Sequence, residues 1–404
     1  MKGSENEQGS IPEQGSEAEP TPRVRSLREL IDMVSGRGLA QTVPQEESGL
    51  AEVLPFPFLA LVGQEDMKLA LLLSLINPAI GGVLLIGPRG TGKTTAVRSL
   101  LDLLPKIERS TCFYGCLPED IETGGMDAVC PDCARKYGEG KPLTALESVH
   151  LIELPLNARL EDVIGGIDER ALVQERMRLR RGLLAQADQN ILYVDEVNLL
   201  HDEIVDAILD AAAQGTYTVR RGPVSATYRA RFNLVGSMNP EEGNLRPQIM
   251  DRFGLRVIVR GLEDTAERYE AYQRVSAYRN RPRQVIANYA GNTAAARDEI
   301  EAARALLPSV LLPEPLAITT IDLIRRLGID SLRAEITLFE AARAFAAADG
   351  RTLVTASDIR NIAPLALRMR RSQFMNQYFI ERAQEDVELA QQFNQAFSGG
   401  GENS

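Results

Sequence analysis

The sequence contains no tryptophan and only two histidines, His150 and His201. Two histidines are too few for a histidine-rich catalytic metal site. Aromatic residues make up 5% of the chain, and so we do not expect the aromatic surface on which single-stranded nucleic acid stacks. The 56 Asp and Glu outnumber the 45 Lys and Arg, which gives a net charge of −11. This acidic balance disfavours nucleic acid as a partner.

One uncharged run, from Leu69 to Pro88, has about the 20 residues that a membrane-spanning helix requires. Asn77-Pro78 and Gly81-Gly82 interrupt it in the middle. We therefore predict a helix that ends at Asn77-Pro78, then a buried strand, and no membrane span. Four cysteines in the whole chain are too few for a disulfide scaffold, and we expect a cytoplasmic protein.

The composition changes along the chain in a way that predicts separate segments. The first 26 residues are rich in Glu, Gln, Ser, Gly and Pro, and such a segment buries too little apolar surface to fold. Short apolar runs then alternate with helical patterns up to residue 261, and only helical patterns follow. We predict a disordered tail at 1–26, a connector at 27–55, an α/β nucleotide-binding domain at 56–261 with a cysteine-rich insertion at 110–140, an all-α domain at 262–397 and a disordered tail at 398–404.

Short continuous apolar runs are typical of a parallel sheet that helices cover on both faces. The predicted strands are Val83–Ile86, His150–Leu154, Ile191–Val194 and Phe232–Gly236. A β-hairpin is predicted around Arg221-Gly222-Pro223, leading into the last of these strands. In the helical part, apolar residues that recur at steps of three and four predict one buried helix face. These residues are Leu332, Ile336, Phe339, Ala342 and Ala346.

A glycine-rich segment follows the first predicted strand and precedes a predicted helix, which is the context of a phosphate-binding loop. Its residues are Gly87, Pro88, Arg89, Gly90, Thr91, Gly92, Lys93 and Thr94. Backbone N–H groups of such a loop surround phosphate oxygens, and the helix N-terminus adds positive partial charge. We expect Lys93 to reach the β- and γ-phosphates of ATP and Thr94 to ligate Mg²⁺. The alternative is a glycine turn that binds nothing.

Two carboxylates, Asp195 and Glu196, directly follow the predicted strand Ile191–Val194. The carboxyl edge of an open parallel sheet is where ligands bind. We expect Asp195 to hold Mg²⁺ together with Thr94, and Glu196 to polarise the attacking water. The alternative is a pair of solvated turn residues.

Two further polar residues are candidates for contact with the γ-phosphate. Asn239 follows the strand Phe232–Gly236 closely and can orient the water, although an Asn before a Pro also starts ordinary turns. Arg252 lies at the end of a short predicted helix. It can act as an arginine finger on the nucleotide of a neighbouring subunit, or it can simply complete the helix C-terminus.

The four cysteines, Cys112, Cys116, Cys130 and Cys133, follow the spacing C-x₃-C-x₁₃-C-x₂-C. This spacing is close to that of a small zinc-binding knuckle, and soft thiolates suit a tetrahedral structural Zn²⁺. Two alternatives remain open at the level of the sequence, namely four reduced thiols and redox-responsive pairs.

Several stretches together resemble the ATPase subunit, or I subunit, of magnesium chelatase, in the helix-2-insert clade of AAA+ proteins. The similarity covers Phe56 to Arg371 and is far more specific than the two nucleotide motifs alone. The stretches are VGQEDMKLALLLSLINP, GGVLLIGPRGTGKT, LPLNARLEDVIGGID, GLLAQADQNILYVDEVNLL, GSMNPEEGNLRPQIMDRFGL and GIDSLRAEITLFEAARAFAAADGR.

The resemblance implies an AAA+ fold, in which a parallel-sheet αβα nucleotide-binding domain is followed by an all-α helical lid domain. By position, Gly87–Thr94 is similar to Walker A, Asp195-Glu196 to Walker B, Asn239 to sensor 1, Arg252 to the arginine finger and Arg333 to sensor 2. Sensor 2 is an arginine of the lid that contacts the nucleotide phosphates. The cofactors that the resemblance implies are ATP and Mg²⁺.

The resemblance also implies a function and partners. Members of the family are ATP-hydrolysing motors that form rings, taken as hexamers. With a von Willebrand-type D subunit and a porphyrin-binding H subunit they form a ligase that inserts Mg²⁺ into protoporphyrin IX during chlorophyll and bacteriochlorophyll biosynthesis. The alternative is a MoxR-like AAA+ chaperone that works with a von Willebrand-type partner in metal or cofactor maturation of another enzyme.

Overall fold

The computed structural model describes residues 54–112, 115–167, 179–222 and 224–371, together with positions 384, 387–391 and 393. The tails predicted at 1–26 and 398–404, most of the connector predicted at 27–55 and most of the chain after residue 371 lie outside the described residues. The described chain from Leu54 onward forms one compact unit. No helix in this part of the chain combines the length and the apolar character needed to cross a membrane.

The strands of the described residues fall into one central sheet and three two-stranded ribbons. In chain order they are β1 (Val83–Ile86), β2 (Ile107–Ser110), β3 (Thr144–Glu147), β4 (Leu151–Glu153), β5 (Gly165–Ile167), β6 (Leu179–Arg181), β7 (Ile191–Val194), β8 (Thr216–Arg221), β9 (Val224–Arg229), β10 (Asn233–Met238) and β11 (Leu255–Ile258).

The central sheet has the order β11-β1-β10-β7-β4, and all of its neighbouring strands run parallel. Every residue of β1 and β7 is buried, as their unbroken apolar sequences predict for a sheet covered on both faces. The four predicted strands are thus confirmed: β1 and β7 have the predicted ends, and the ends of β4 and β10 differ by one or two residues. The fifth strand, β11, was not predicted because Arg256 interrupts its apolar run.

The helices surround this sheet and then form the C-terminal part of the described chain. They are α1 (Glu65–Ile76), α2 (Lys93–Ser99), α3 (Pro118–Gly124), α4 (Pro131–Gly138), α5 (Leu160–Ile164), α6 (Leu183–Gln186), α7 (Asp202–Gln214), α8 (Pro247–Arg252), α9 (Thr265–Asn280), α10 (Pro282–Leu306), α11 (Glu314–Arg326), α12 (Leu332–Ala348) and α13 (Ala356–Leu367). After β11 the described elements are helical, which agrees with the predicted helical domain.

The buried face of α12 agrees with the predicted one only in part, since Ala342 and Ala346 are buried as predicted. Leu332 and Ile336 are exposed, by 74% and 57%. The buried residues include Ala334, Leu338 and Ala341, and this face packs against α1, α10 and α13. Small alanine side chains let these helices approach closely. The alanine-rich face of α12 is therefore the buried one, although two of its largest apolar residues lie elsewhere.

Two ribbons are inserted between elements of the core. The antiparallel hairpin β8–β9 follows α7 and confirms the predicted hairpin. The pair β2–β3 encloses helices α3 and α4, which lie within the cysteine-rich insertion predicted at 110–140. One apolar core lies on the face of the sheet that carries α1 and the C-terminal helices, and a second on the face that carries α7.

Candidate nucleotide site

The glycine-rich loop connects the buried strand β1 to the N-terminus of α2, as its sequence predicts. Gly90 and Gly92 have φ angles of +78° and +86°, which side chains other than glycine rarely adopt. A Cβ atom at either position would meet no atom within 4 Å. The loop therefore presents bare backbone and open space at the helix N-terminus, which is the arrangement that accommodates a phosphate chain.

Lys93 is the first residue of α2, and its ammonium group turns back onto the loop. It donates hydrogen bonds to the carbonyl oxygens of Gly87 (2.7 Å) and Pro88 (2.8 Å). Burial lowers the pKa of Lys93, and the carboxylates of Asp195 and Glu196 act in the opposite direction. The ammonium is thus held within the loop, where phosphate oxygens can replace the two carbonyl oxygens as its acceptors.

The hydroxyl of Thr94 and the carboxylate of Asp195 are joined by one side chain, that of Tyr193. The phenol oxygen of Tyr193 lies 3.1 Å from Thr94 Oγ1 and donates to Asp195 Oδ1 at 2.8 Å. Ser237 of β10 also donates to Asp195 Oδ1. Burial raises the pKa of Tyr193, which keeps its phenol protonated as a donor. A hydroxyl and a carboxylate oxygen are ligands that Mg²⁺ prefers, so this pair fits the ion.

Glu196 adopts the left-handed conformation, with a φ angle of +51°. Its backbone N–H donates to Ser237 Oγ at 3.1 Å. Its carboxylate forms an ion pair with Arg89 of the loop, with 3.0 Å between Nη2 and Oε1. A non-glycine residue with positive φ is uncommon and clusters at functional sites, where the surrounding structure maintains it.

Asn239 is 4% exposed and directly follows β10. Its amide nitrogen donates to Glu242 Oε1 at 3.1 Å, and the same Glu242 oxygen lies 2.5 Å from Arg89 Nε. Because Arg89 also pairs with Glu196, a continuous polar chain joins the residue predicted as sensor 1 to the predicted water-polarising carboxylate.

Residues from three neighbouring strands therefore meet at the carboxyl edge of the sheet. The backbone N–H of Gly87, just after β1, donates to the carbonyl of Met238 at the end of β10. Lys93, Thr94, Asp195, Glu196 and Asn239 are brought together here as the sequence predicts.

Comparison with known proteins agrees with this geometry. Residues 81–222 match the family described as AAA domain, and residues 318–391 match the family described as AAA lid domain. The chain is 44% identical over 322 residues to the "Magnesium-chelatase subunit ChlI homolog" of Methanocaldococcus jannaschii, which covers 79% of this chain and 87% of the relative. The "Magnesium-chelatase 38 kDa subunit" of Acidiphilium rubrum is 43% identical, covering 78% and 90%.

This chain belongs to the family of magnesium-chelatase I subunits. The predicted fold class, an AAA+ αβα domain followed by a helical lid domain, is confirmed. A putative ATPase from Cytophaga hutchinsonii has a similar fold, with a TM-score of 0.50, 20% sequence identity and coverage of 78% of this chain and 84% of that one. The relatives support the chelatase interpretation over the MoxR-like chaperone.

Arg252, the predicted arginine finger, does not lie at the phosphate loop of the same chain. Arg252 ends α8 and forms ion pairs with Asp210 (2.9 Å) and Asp206 (3.2 Å) of α7. The strand β11 begins three residues later and runs parallel to β1. Arg252 is therefore at the amino edge of the sheet, and the length of β1, about 13 Å for four residues, separates this edge from the loop.

Arg333, the predicted sensor 2, lies at the same amino edge. Ser331, just before α12, donates to Asp251 Oδ2 at 2.8 Å, and Asp251 is the neighbour of Arg252 in sequence. Burial lowers the pKa of Arg370, whose guanidinium donates to Gly254, and the nearby positive charge of Arg333 acts in the same direction. The lid thus brings Arg333 beside the finger segment and does not bring it to Lys93 of the same chain.

Sequence reasoning missed three residues that organise the nucleotide site, namely Tyr193, Ser237 and Glu242. Tyr193 stands two residues before Asp195, and alternation along a strand places both on one side, which is a signal that could have identified it. Ser237 and Glu242 come from segments whose approach to Asp195 and Arg89 depends on the pairing of β10 with β7 and β1. That pairing is a tertiary property.

Proposed function

We propose that this protein is the ATP-hydrolysing motor subunit of a magnesium chelatase, which inserts Mg²⁺ into protoporphyrin IX for chlorophyll or bacteriochlorophyll synthesis. The observation that carries the proposal is the meeting of Lys93, Thr94, Asp195 and Glu196 at one sheet edge in a chain 43–44% identical to chelatase subunits. As a complex with its partners the enzyme is a ligase that forms nitrogen–metal bonds.

Nucleotide binding rests on the loop from Gly87 to Thr94. Its backbone N–H groups and the ammonium of Lys93 bind the β- and γ-phosphates. Thr94 Oγ1 and the carboxylate of Asp195 hold the Mg²⁺ that accompanies ATP, and Tyr193 orients both ligands. When bound, this ion neutralises charge on the phosphate oxygens.

Hydrolysis requires a water molecule in line with the γ-phosphorus. Glu196 polarises this water and accepts its proton while the bond between the γ-phosphorus and the β,γ-bridging oxygen breaks and ADP departs. Asn239 orients the water or contacts the γ-phosphate. The ion pair of Glu196 with Arg89 keeps the carboxylate at the mouth of the loop.

Arg252 and Arg333 complete the site of a neighbouring subunit. Both lie at the amino edge of the sheet, whereas the phosphates bind at the carboxyl edge. In a ring, here taken as a hexamer, the amino edge of one subunit faces the phosphate loop of the next. Their two positive charges then stabilise the negative charge that develops on the γ-phosphoryl group. An arginine finger of this kind raises the rate of hydrolysis by about 10³-fold or more.

The partners in this proposal are a von Willebrand-type D subunit and a porphyrin-binding H subunit, and the complex works in the cytoplasm. Nucleotide binding at the subunit interface orders Arg252 and the lid, and hydrolysis releases them. This alternation is the mechanical step that the ring passes to its partners. The family of the relatives supports the choice of partners.

Glu196→Gln tests the proposed hydrolysis. The variant is expected to bind ATP normally but to lose about 10²-fold or more of its turnover, because the water loses its base. Glu153→Gln is a matched control, since Glu153 ends strand β4 of the same sheet and its carboxylate pairs with the exposed Arg98. Unchanged steady-state hydrolysis in Glu196→Gln would contradict the role of Glu196.

Reconstitution tests the chelatase itself. The protein is combined with candidate D and H subunits, protoporphyrin IX, Mg²⁺ and ATP, and formation of Mg-porphyrin is followed by fluorescence. We expect product only when all three subunits and hydrolysable ATP are present. Vigorous ATP hydrolysis without Mg-porphyrin would overturn the chelatase assignment and leave the ATPase assignment intact.

A further inference from the structure

The four cysteines converge although they come from separate segments of the insertion between β2 and β3. All four Sγ atoms lie within 4.8 Å of one another. A tetrahedral zinc ion with Zn–S distances of about 2.3 Å requires Sγ atoms about 3.8 Å apart, so the observed cluster is close to this geometry. An iron–sulfur cluster holds its thiolates farther apart, because several metal ions lie between them.

Backbone and side-chain donors point at the sulfur atoms of this cluster. The N–H of Cys116 donates to Cys112 Sγ at 3.3 Å, and the N–H of Cys130 donates to Cys116 Sγ at 3.4 Å. Ser110 donates to Cys112 Sγ at 3.5 Å. Such hydrogen bonds stabilise thiolates and orient them as ligands. All four residues carry free thiols rather than disulfides.

The insertion has only a small apolar core among its described residues. The buried cluster consists of Cys116, Ile121, Cys133 and Leu143, and Leu117 is buried as well, so three large aliphatic side chains are buried there. A segment of this size with so small a core does not hold its fold by apolar burial alone, and small modules of this kind use metals or disulfides instead.

We propose that Cys112, Cys116, Cys130 and Cys133 bind one structural Zn²⁺, which goes beyond the proposed ATPase function. The ion supplements the small apolar core and fixes helices α3 and α4 on the β2–β3 ribbon. Cys133 is fully buried, so the ion is closed to solvent on that side and has no open position for substrate.

The site has a consequence for the neighbouring hairpin. Asp120 of α3 caps its own helix by accepting from the N–H of Leu117 at 2.8 Å, and it forms an ion pair with Arg229 at the end of β9. Strand β10, which leads to Asn239, begins four residues after Arg229. Zinc therefore fixes the residue that attaches the hairpin to the insertion.

The metal is tested first on the full-length wild-type chain. We expect elemental analysis to find about one zinc per chain, and an organomercurial that titrates the four thiols to release that zinc in proportion. A folded chain with four reactive thiols and no metal would overturn the proposal. Iron with inorganic sulfide, or a disulfide found by mass spectrometry, would overturn it as well.

Variants then test the ligand set and the consequence. Cys116→Ser and Cys133→Ser should each lose zinc, and the Co²⁺-loaded wild type should show the visible absorption of a tetrahedral thiolate site. Asp120→Asn is the matched control, because it removes the negative charge that pairs with Arg229 and leaves the thiols intact. It should keep its zinc yet lose hydrogen-exchange protection in β8–β9. Full zinc retention by both cysteine variants would contradict the assigned ligands. Hydrogen exchange in the hairpin β8–β9 that does not change when zinc is removed would contradict the proposed role of zinc in attaching the hairpin.

Discussion

The buried Arg370 forms an ion pair with the half-buried Asp251, with 2.6 Å between Nη1 and Oδ1. Arg370 follows helix α13 of the lid, and Asp251 precedes the predicted finger Arg252. The same guanidinium donates to the carbonyl oxygens of Phe253 (3.1 Å) and Gly254 (2.9 Å). One side chain of the lid thus holds the whole segment between α8 and β11, and the position of Arg252 depends on it.

Asp251→Asn is expected to lower the free energy of unfolding by about 3–5 kcal/mol, because it leaves the buried guanidiniums of Arg370 and Arg256 without a counter-charge. Denaturant titration measures this change. Asp322→Asn is the control, since the pair of Asp322 with Arg326 is exposed and contributes about 0.5 kcal/mol. Equal effects of the two substitutions would contradict the importance of the pair between Asp251 and the buried Arg370.

The same carboxylate predicts a pH dependence. Burial opposes ionisation of Asp251, but hydrogen bonds from Ser331 and the charge of Arg370 outweigh it and lower its pKa. A depressed pKa stabilises the folded state at pH values above the unfolded value of about 3.9, and this contribution is lost as the pH falls through the folded value. The difference in stability between wild type and Asp251→Asn should therefore be constant near neutral pH and shrink below about pH 4. A difference that stays constant in acid would contradict the ion pair.

Mixing inactive variants tests whether Arg252 and Arg333 both act on a neighbouring subunit. Arg252→Ala and Arg333→Ala should each lose about 10³-fold of ring hydrolysis, and mixing either with Lys93→Ala should restore part of it. In those mixtures the Lys93→Ala subunit supplies both arginines to an intact phosphate loop.

The mixture of Arg252→Ala with Arg333→Ala separates the two possible arrangements. If both arginines come from the same neighbour, no interface in this mixture has both, and hydrolysis should stay low. Recovered hydrolysis would mean that Arg333 serves the nucleotide of its own chain, contrary to its location beside Asp251. Ring assembly of each mixture is checked by size-exclusion chromatography.

Tyr193→Phe should weaken the apparent affinity for Mg²⁺ about tenfold, because it removes the hydroxyl that orients Thr94 and Asp195. The measurement is steady-state hydrolysis against Mg²⁺ concentration at saturating ATP. Tyr217→Phe in the hairpin β8–β9 is the control for loss of a tyrosine hydroxyl elsewhere. A Mg²⁺ dependence identical to that of the wild type would remove Tyr193 from the site.

Much of the central fold could be predicted because its signals are local. The strand Val83–Ile86 is continuously apolar and runs into a glycine-rich loop, and this combination has few structural solutions. Strand β11 escaped prediction because buried Arg256 looks like an exposed residue in sequence. Only the structure shows that Arg256 pairs with Asp251. Burial, and to a lesser extent the charge of Arg370, lowers the pKa of Arg256 to about 10.

The lid helix α12 illustrates a different failure. Its helical period was correctly recognised and Ala342 and Ala346 are buried as predicted, but Leu332 and Ile336 are exposed. Periodicity identifies which residues share a face, whereas the neighbouring helices determine which face they cover. The alanine-rich face around Ala334 and Ala341 packs more closely, and sequence alone does not rank the two faces.

The sequence by itself determined the chemistry of the protein, since the glycine loop with Lys93 and Thr94 and the acidic pair Asp195-Glu196 depend on residue types at short spacings along single elements. Only the tertiary structure decided which residues share an edge of the sheet. In the structure, Tyr193 and Glu242 lie beside the phosphate loop and the four cysteines lie together. Arg252 and Arg333 lie at the amino edge of the sheet, opposite the loop. The physical reason is that strand order and lid docking come from contacts between residues far apart in the chain, which no local pattern encodes.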